Sequence, residues 1–441
     1  MNIKPHFVSA SLTLASICTP LASAQEIITE DFRIQASDGE RGDYFGSSIA
    51  IKNNIIAVGS TYDFLNDEFE TYSGSAYLFD ATTGAQLHKL VPTNAQDFAS
   101  FGYSIDIDDG AVIVGAPDDS SAHIYNVSTG HEVGQLFSFY NYGRFGSSVA
   151  LHSGIAVVGE PGNFGNTGGA FLYNVFSGEL TSELFANDRA NGDRFGHQVA
   201  IHNSLVAVSA INDDSNTGAV YIFDAETGIQ ITKIVPPQAT PNDYFGDSLD
   251  INEETIAVGA IGDSENGPYS GAVYLYRTAD FSFITKLTAS DGMEEDFFGK
   301  SVALSDDSLV VGAEWSNFSG AAYIFSLDTE EEFANLMTNE IVWTDSFASA
   351  VAIENNTVVA GAPTNSNGGE PESAYVFTIP EAPQSFCPAD LTGDNTLNFF
   401  DVSAFLLAFT ASDPIADFTN DNTWNFFDVS AFLSSFASGC P

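Results

Sequence analysis

Hydrophobic and polar residues along most of the chain follow a pattern that repeats about every 50 residues. Each unit begins with a Phe-Gly step and continues into an alternating apolar run, such as Ser148 to Leu151, which is typical of a β-strand with one buried face. The steps are Phe45-Gly46, Phe101-Gly102, Phe145-Gly146, Phe195-Gly196, Phe245-Gly246, Phe298-Gly299 and a degenerate Phe347-Ala348. Seven such units of short strands and turns predict an all-β seven-bladed propeller.

The order of strands is the same in each unit. A tight turn such as Asn53-Asn54 follows the first strand, and the second strand ends at a Gly-Ala-Pro-like step such as Gly115-Ala116-Pro117. A third strand such as Ala374 to Phe377 and a fourth such as Lys286 to Thr288 complete the blade. The seventh unit has only three strands of its own. An N-terminal strand at about residues 31–37 is therefore predicted to complete it and close the ring, since an open ring would leave two unpaired edges.

The C-terminal region contains two matched segments 27 residues apart, each followed by a helix with apolar residues at i, i+3, i+4 and i+7. Oxygen ligands fall at positions 1, 3, 5, 9 and 12, with a backbone carbonyl at position 7, the spacing of an EF-hand-like Ca²⁺ loop. The predicted ligands of two Ca²⁺ ions are Asp390, Thr392, Asp394, Thr396, Asn398, Asp401, Asp417, Thr419, Asp421, Thr423, Asn425 and Asp428. The alternative is that Asp and Asn only cap the helices.

Residues 1–24 have the pattern of a secretory signal peptide. Lys4 precedes an apolar run from Phe7 to Ile17, and Ala22-Ser23-Ala24 forms a cleavage site. A transmembrane anchor is the alternative, but the apolar run is short. Cleavage leaves Cys387 and Cys440, and a single disulfide between them is the simplest expectation in an oxidising compartment. The mature protein is expected to be secreted, extracellular or attached to the cell surface, with no transmembrane segment.

Charge narrows the range of partners. Lys+Arg number 12 against 59 for Asp+Glu, which gives a net charge of −47, and no Lys or Arg follows Lys300. Nucleic acid is excluded as a partner because its phosphates need clustered basic residues. With 44% hydrophobic and 16% charged residues, the chain can still bury large cores, so it is not a disordered acidic segment.

The Phe-Gly and Gly-Ala-Pro steps, in seven copies at this period, resemble the FG-GAP repeats of integrin α-subunit propellers and of many secreted bacterial proteins. The resemblance covers about residues 30 to 378 and implies the propeller fold more specifically than it implies a function. Integrin-type repeats often carry a Ca²⁺ loop between the first two strands. Here that connection is only a few residues long, as at Ser153-Gly154, so no calcium site is expected in the propeller.

The duplicated D-x-T-x-D-x-x-x-N-x-x-D loops at 387–441 resemble type I dockerins of the variety that ends in Gly-Cys, here Gly439-Cys440. The resemblance implies a small all-α, calcium-binding domain that docks on a cohesin-like domain or cell-surface scaffold. In dockerins, loop positions 10 and 11 help to choose the cohesin. Here they are Phe399-Phe400 and Phe426-Phe427, so either the partner surface is apolar or these rings belong to the core.

The sequence thus divides into a signal peptide at 1–24, a propeller at 25–378, a Pro-containing linker at 379–386 and a dockerin-like domain at 387–441. The propeller face that gathers the connections between second and third strands is the candidate binding surface, because function tends to lie on loops of rigid scaffolds. Its candidate ligand-binding residues are Tyr62, Phe64, Phe69, Tyr72, Phe164, Tyr269, Trp315 and Phe318. The alternative is that these rings pack between blades.

No catalytic grouping stands out in the sequence, and His152 and His202 are expected to be separate turn residues. The favoured hypothesis is a non-enzymatic binding or adhesion protein whose propeller recognises an extracellular protein or glycan. The alternative is a polysaccharide lyase or glycoside hydrolase delivered by the same dockerin-like domain, since two carboxylates suffice for glycosidase chemistry. A surface-layer component kept soluble by its acidity is a third hypothesis.

Overall fold

Strands form wherever the repeat places an apolar run between turn residues, and the chain builds seven twisted sheets, one for each unit. The structure is a computed structural model. It describes residues 26–64, 71–108, 110–138, 143–338, 346–364, 371–382, 388–392, 396–419, 421 and 423–438. The predicted signal peptide, Cys387, Cys440, Asp394 and Phe69 lie outside the described residues. The prediction of an all-β seven-bladed propeller is confirmed.

The strands of the blades have the following bounds. Before the first blade lie β1 (Glu26–Thr29) and β2 (Phe32–Ile34). Blade 1 contains β3 (Phe45–Lys52), β4 (Ile55–Ser60), β5 (Ser75–Asp80) and β6 (Gln86–Leu90), and blade 2 contains β7 (Ser104–Asp108), β8 (Ala111–Ala116), β9 (Ser121–Asn126) and β10 (Glu132–Phe137). Blade 3 contains β11 (Ser148–His152), β12 (Ile155–Glu160), β13 (Gly169–Asn174) and β14 (Glu179–Leu184), and blade 4 contains β15 (Phe195–His202), β16 (Leu205–Ala210), β17 (Ala219–Asp224) and β18 (Gln230–Ile234).

The remaining blades follow the same order. Blade 5 contains β19 (Phe245–Ile251), β20 (Thr255–Ala260), β21 (Ala272–Arg277) and β22 (Phe283–Leu287), and blade 6 contains β23 (Phe298–Leu304), β24 (Ser308–Ala313), β25 (Ala321–Ser326) and β26 (Glu332–Met337). Blade 7 contains β27 (Val351–Glu354), β28 (Thr357–Ala362) and β29 (Ser373–Thr378). Short helical turns α1 (Asn163–Asn166), α2 (Asp213–Asn216) and a 3-10 turn at Ser316–Phe318 lie between second and third strands.

The N-terminal strands complete the ring. Strand β2 pairs antiparallel with β29, with Phe32 opposite Val376, and supplies the fourth strand of blade 7. The first strands of successive blades contact one another around a central channel, and β27 contacts β3 across the closure. Strand β1 pairs in parallel with β26 and adds a fifth strand to blade 6. The sequence pattern did not predict this extra strand.

At five of the seven blade interfaces, a glycine near the end of a second strand packs against the glycine of the next Phe-Gly step. A Cβ on Gly115, at the end of a second strand, would lie 2.1 Å from the carbonyl oxygen of Gly146 in the next blade. The Oγ of Ser104 donates to the same oxygen at 2.9 Å. Gly146 itself has φ +91°, a conformation that only glycine adopts readily. The repeated Gly residues therefore set how closely neighbouring blades approach.

The Phe of each step is the anchor of the blade core. Phe45 is 1% exposed and packs edge-on against the rings of Tyr77 and Phe79 in the third strand, at centroid distances of 5.7 and 5.8 Å. The same Phe packs against two rings of the third strand in the other six blades. These edge-to-face contacts add to the burial of apolar area in each blade.

The C-terminal region is helical. It contains α3 (Phe399–Ala411), α4 (Phe426–Ser438) and a 3-10 turn at Pro414–Ala416. Phe405 and Phe432, one from each helix, stack at a centroid distance of 4.1 Å and are each 1% exposed. The matched sequences thus pack as two matched loop-helix units. Within the part of the chain that the structure describes, no helix is long and apolar enough to cross a membrane.

Candidate functional site

The first strands of all seven blades line a channel that encloses about 720 Å³. The end at which these strands begin is called the upper face here. The connections between second and third strands and the loops that enter each Phe-Gly step lie on this face, because second strands run antiparallel to first strands. Side chains from different blades therefore converge at its mouth, as binding residues do on other rigid scaffolds.

Three charged or titratable side chains from consecutive blades meet at the upper mouth. The Oδ2 of Asp247 lies 3.2 Å from the Nζ of Lys300, and its Oδ1 lies 3.7 Å from the Nε2 of His197. Burial opposes the ionisation of Asp247, but Lys300 and His197 outweigh it and hold the pKa of Asp247 below its ordinary value. The charge of Asp247 in turn raises the pKa of Lys300. An ammonium group is thus held ionised inside the mouth of the channel.

A second ion pair lies elsewhere on the channel lining. The guanidinium of Arg144 lies 3.2 Å from the Oδ1 of Asp118 and 5.5 Å from the centre of the Tyr103 ring. The Oγ of Ser100 donates to Asp118 at 2.6 Å. Tyr103 is 45% exposed and the Arg144 side chain 44%, so both are accessible from the channel.

Two carboxyls deeper in the channel join blades together. Asp106 accepts backbone hydrogen bonds from Leu151 in the next blade and from Ile107. Asp250 does the same with Leu304 and its own neighbour Ile251. Burial raises the pKa of Asp106 to about 7 and that of Asp250 to about 6. Since both oxygens of each carboxyl accept backbone N–H groups, these residues brace the channel wall.

Several aromatic residues predicted for the binding surface are exposed on the upper face. Tyr62, Tyr72, Tyr269 and Trp315 are 49, 47, 41 and 55% exposed, so they are not packed between blades. Phe64 is partly buried and contacts Tyr72 at 4.9 Å. The side chains of Phe164 and Phe318 lie outside what the structure describes.

Sequence reasoning missed the rings that join these residues into groups. Tyr44 contacts Tyr62 at 5.0 Å, and Phe98 stacks on Tyr72 at 6.0 Å with an interplanar angle of 8°. Phe297 lies between Tyr269 and Trp315, 5.8 and 6.4 Å from their ring centres. Tyr44 and Phe297 directly precede a Phe-Gly step and have positive φ. In the sequence, the residue before each Phe-Gly step was the signal that could have identified these rings. Its positive φ turns the side chain toward the upper face.

The expectation that His152 and His202 are separate turn residues is wrong. Their rings lie 4.8 Å apart, tilted by 37°. His152 ends β11 and His202 ends β15, the first strands of adjacent blades. These two strands contact each other along the channel, so their ends lie side by side. Burial, and then the neighbouring His152 and Lys52, lowers the pKa of His202.

The C-terminal loops turn predicted calcium ligands inward. The Oγ1 of Thr392 lies 3.2 Å from the Oδ1 of Asp390 and 2.8 Å from the Oδ1 of Asp401. In the second loop, the Oγ1 of Thr419 lies 2.8 Å from the Oδ1 of Asp428. Asp401 and Asp428 are fully buried, so their carboxylates face the loops and not the solvent. This donor set consists of hard oxygens, as Ca²⁺ requires, and Asp394 would add a further carboxylate.

Helix capping engages some of the same residues. The side chain of Asn398 accepts from the backbone of Phe400 at 2.8 Å, and Asn425 repeats the bond with Phe427. Asp417 accepts from the backbone of Asp421 at 3.1 Å. The Thr396 and Thr423 carbonyls accept from the Asn398 and Asn425 side-chain amides. Among the described residues, no group of three or more His, Cys, Asp or Glu side chains is arranged to hold a metal ion.

The fold defines the class of protein: a closed seven-bladed β-propeller around a central channel. A family model for the FG-GAP repeat matches residues 28–79, 179–223, 229–276, 281–325 and 331–377, which is more than half of the chain. The chain therefore belongs to the FG-GAP repeat family. No curated protein matches the sequence. FG-GAP repeats typically occur in extracellular proteins, and the fold fits a binding or adhesion role in broad terms.

Proposed function

We propose that the protein is an exported binding protein. The upper face of its propeller binds an extracellular protein or glycan, and its C-terminal domain holds two Ca²⁺ ions and docks on a cohesin-like domain of a cell-surface scaffold. The observation that carries the proposal is the set of exposed aromatic rings and ion pairs that several blades place on one face, with Tyr44, Tyr62 and Tyr103 lining the channel itself.

The chemistry of the upper face suits sugar rings and peptide side chains. Tyr72 with Phe98, and Trp315 with Phe297, offer flat apolar surfaces on which a ring can stack. Lys300 supplies an ammonium donor on the channel lining, and hydroxyl groups of the first strands line the channel below. Such a combination of apolar faces with a few fixed polar groups is typical of ligand sites.

Calcium would fold and stiffen the C-terminal loops. Asp390, Thr392 and Asp401 present oxygens to one space in the first loop, and Thr419 and Asp428 repeat the Thr392–Asp401 contact in the second loop. Three or four oxygens fall short of the six to eight that Ca²⁺ takes, so Asp394, a backbone carbonyl and water would complete the set. A bound ion would supply the charge that holds these carboxylates together.

The docking surface of this domain would be apolar. Phe399, Phe400, Phe426 and Phe427 are 77, 68, 75 and 68% exposed. They start α3 and α4, and the core is formed instead by Phe405 and Phe432. The sequence left two alternatives for these four rings: they belong to the core, or they form an apolar partner surface. Their exposure favours the partner surface, because large exposed apolar patches mark interaction sites.

The propeller proposal is tested by binding to arrays of polysaccharides and extracellular proteins. The double variant Tyr72→Ala/Trp315→Ala is expected to lose binding, whereas Phe176→Ala is expected to keep it. Phe176 is the matched control because it is 83% exposed in a turn on the opposite face. Equal binding by both variants would exclude the upper face, and release of new oligosaccharide ends would favour the lyase or hydrolase alternative.

The anchoring proposal is tested on the full chain with an immobilised type I cohesin. Retention in Ca²⁺ and release by chelator are expected, and Phe400→Ser/Phe427→Ser should abolish retention without changing the helical circular dichroism signal. Retention that is indifferent to chelator would refute the calcium-dependent module. Unchanged retention of the double variant would refute the apolar docking surface.

A further inference from the structure

One position of the repeat turns seven side chains toward the upper face. It is the residue directly before the Phe of each step, and its φ lies between +52° and +60° in all seven blades. Glycine and asparagine adopt this left-handed conformation at the lowest cost. The chain has Ser there in two blades and large side chains in the other five, namely Tyr44, Arg144, Arg194, Tyr244 and Phe297. Since the turn itself needs no large side chain, these residues indicate a role on the face.

A second position of the repeat lines the mouth of the channel. It lies two residues after the Phe of each step, and all seven of its side chains border the channel. Three of them are Ser, and the others are Tyr103, His197, Asp247 and Lys300. We call the fourteen residues at these two positions the inner ring of the upper face.

The inner ring reverses the charge bias of the chain. Asp+Glu outnumber Lys+Arg by 59 to 12 in the whole sequence. In the inner ring, Arg144, Arg194 and Lys300 are basic and His197 is titratable, whereas Asp247 is the only acidic residue. Asp247 is paired with Lys300 at 3.2 Å and lies 3.7 Å from His197. Cationic donors are thus concentrated around the mouth of the channel.

Acidic residues directly beside the inner ring serve the fold. In three blades, the Asp two residues before the Phe accepts a hydrogen bond from a backbone N–H three residues earlier in the chain. The pairs are Asp193 with Ala190 at 2.5 Å, Asp243 with Thr240 at 2.7 Å and Asp296 with Met293 at 2.7 Å. These carboxylates close turns, as short acidic side chains commonly do.

The two arginines of the inner ring keep donors for a ligand. The Arg144 guanidinium is exposed and lies 3.2 Å from the Oδ1 of Asp118. A guanidinium has five N–H donors, and one carboxylate accepts two of them in a fork, so Arg144 can bind a second carboxylate. Arg194 makes no ion pair with any residue that the structure describes. Both side chains therefore suit a carboxylate from outside the chain.

Aromatic rings lie next to these donors. The exposed ring of Tyr103 has its centre 5.5 Å from the Arg144 guanidinium. Tyr44 and Tyr62 are also exposed, border the channel and lie 5.0 Å apart. A sugar ring has an apolar face that stacks on such rings, and a uronate sugar adds a carboxylate to the same ring. An acidic peptide offers carboxylates without the flat ring, so the inner ring matches a uronate sugar better.

We infer that the upper face binds a glycan that carries carboxylate groups, namely a chain of uronate sugars. The inference rests on the proposed function, because it names the ligand class of the same face. The carboxylates accept hydrogen bonds from Arg144 and Arg194, and the sugar rings stack on Tyr44 and Tyr103. The net charge of −47 opposes the approach of a polyanion, but salt screens this repulsion beyond about 8 Å at physiological ionic strength. Contacts at the inner ring therefore decide binding.

The experiment titrates the full chain by calorimetry, without Ca²⁺, with hexamers of galacturonate, mannuronate and guluronate and with their methyl esters. The esters keep the sugar rings but have no charge. At least one acid should bind about tenfold or more tightly than its ester. Arg144→Gln and Arg194→Gln should each weaken binding of this acid by about five- to tenfold and leave binding of the ester unchanged. Arg277→Gln is the matched control, because exposed Arg277 ends a third strand on the opposite face.

The outcomes separate this inference from the proposed function. If acid and ester bind alike while Tyr72→Ala/Trp315→Ala abolishes binding of any ligand, the upper face is a binding surface but not a uronate site. Binding of none of the hexamers, or arginine variants that behave like Arg277→Gln, also refutes the inference. Tighter binding of dextran sulfate would assign a sulfated ligand, and equal competition by polyglutamate would assign an acidic peptide. Either of these two results overturns a uronate ligand.

Discussion

Gly259 provides a quantitative test of how the blades pack. It lies in β20, and a Cβ added to it would be 2.1 Å from the carbonyl oxygen of Gly299 in the next blade and 2.2 Å from the Oγ of Ser248. Ordinary contacts of a Cβ are more than an ångström longer, so Gly259→Ala must push two blades apart. Since overpacking of a filled interior costs about 1–3 kcal/mol or more, we expect a loss of about 3 kcal/mol. That is a large share of the roughly 5–15 kcal/mol by which domains are stable.

Gly134→Ala is the matched control for this change. Gly134 also lies within a strand, β10, and a Cβ there would first meet the Cδ1 of Ile124 at 3.7 Å, an ordinary contact. Without a clash, Ala should stabilise the strand by about 0.5 kcal/mol, because glycine loses more backbone freedom on folding.

Urea unfolding followed by circular dichroism measures both variants. Gly259→Ala should shift the midpoint to lower urea with the slope of the transition unchanged, and Gly134→Ala should shift it slightly upward. Similar midpoints for the two variants would refute the argument that the repeated glycines set the distance between blades.

Three further predictions concern charged groups. Because burial raises the pKa of Asp106 to about 7 and that of Asp250 to about 6, the folded chain keeps protons that the unfolded chain has lost. The stability that these two groups contribute is therefore full below the ordinary carboxyl pKa and is lost as the pH rises through 6 to 7. The urea midpoint of Asp106→Asn should lie below that of the native chain at low pH, and the difference should shrink as the pH rises. A difference that does not change with pH would contradict this prediction. Lys233→Met should lower stability by about 1–2 kcal/mol in thermal or urea unfolding, because the Lys233 ammonium lies 2.7 Å from Asp188 and 2.6 Å from Asp213. The exposed Lys52→Met is the control and should have no such effect; equal effects would show that these ion pairs do not stabilise the blade. Ca²⁺ should increase the helical circular dichroism signal of the full chain, and Asp428→Asn should reduce this increase; an identical response would argue against the second loop as a calcium site.

Much of the propeller could be predicted because each blade is a local unit. Phe245-Gly246 and the steps like it repeat where strands begin, and the Asp two residues earlier forms a turn, as in Asp243, which accepts from the backbone of Thr240 at 2.7 Å. Exposed aromatic residues such as Trp315 could be placed on the upper face because loop positions follow from strand order. These features depend on residues that are close in sequence, so the spacing of residue types along the chain predicts them.

The cluster of charged groups at the channel mouth could not be predicted from the sequence in the same way. His197, Asp247 and Lys300 meet because three blades converge, and the distance between them depends on ring curvature. The pairing of His152 with His202 has the same origin. The parallel addition of β1 to blade 6 depends on an edge that the repeat leaves available, and nothing in residues 26–29 specifies that edge.

The pairing of β2 with β29 has a consequence for how the chain matures. The partners Phe32 and Val376 are more than 300 residues apart in the sequence. Strand β2 is therefore synthesised early but cannot pair with β29 until almost the whole propeller has been made. The β2–β29 pairing that closes the ring therefore forms last. Until then each intermediate exposes an unpaired sheet edge, which favours association with other copies of the chain.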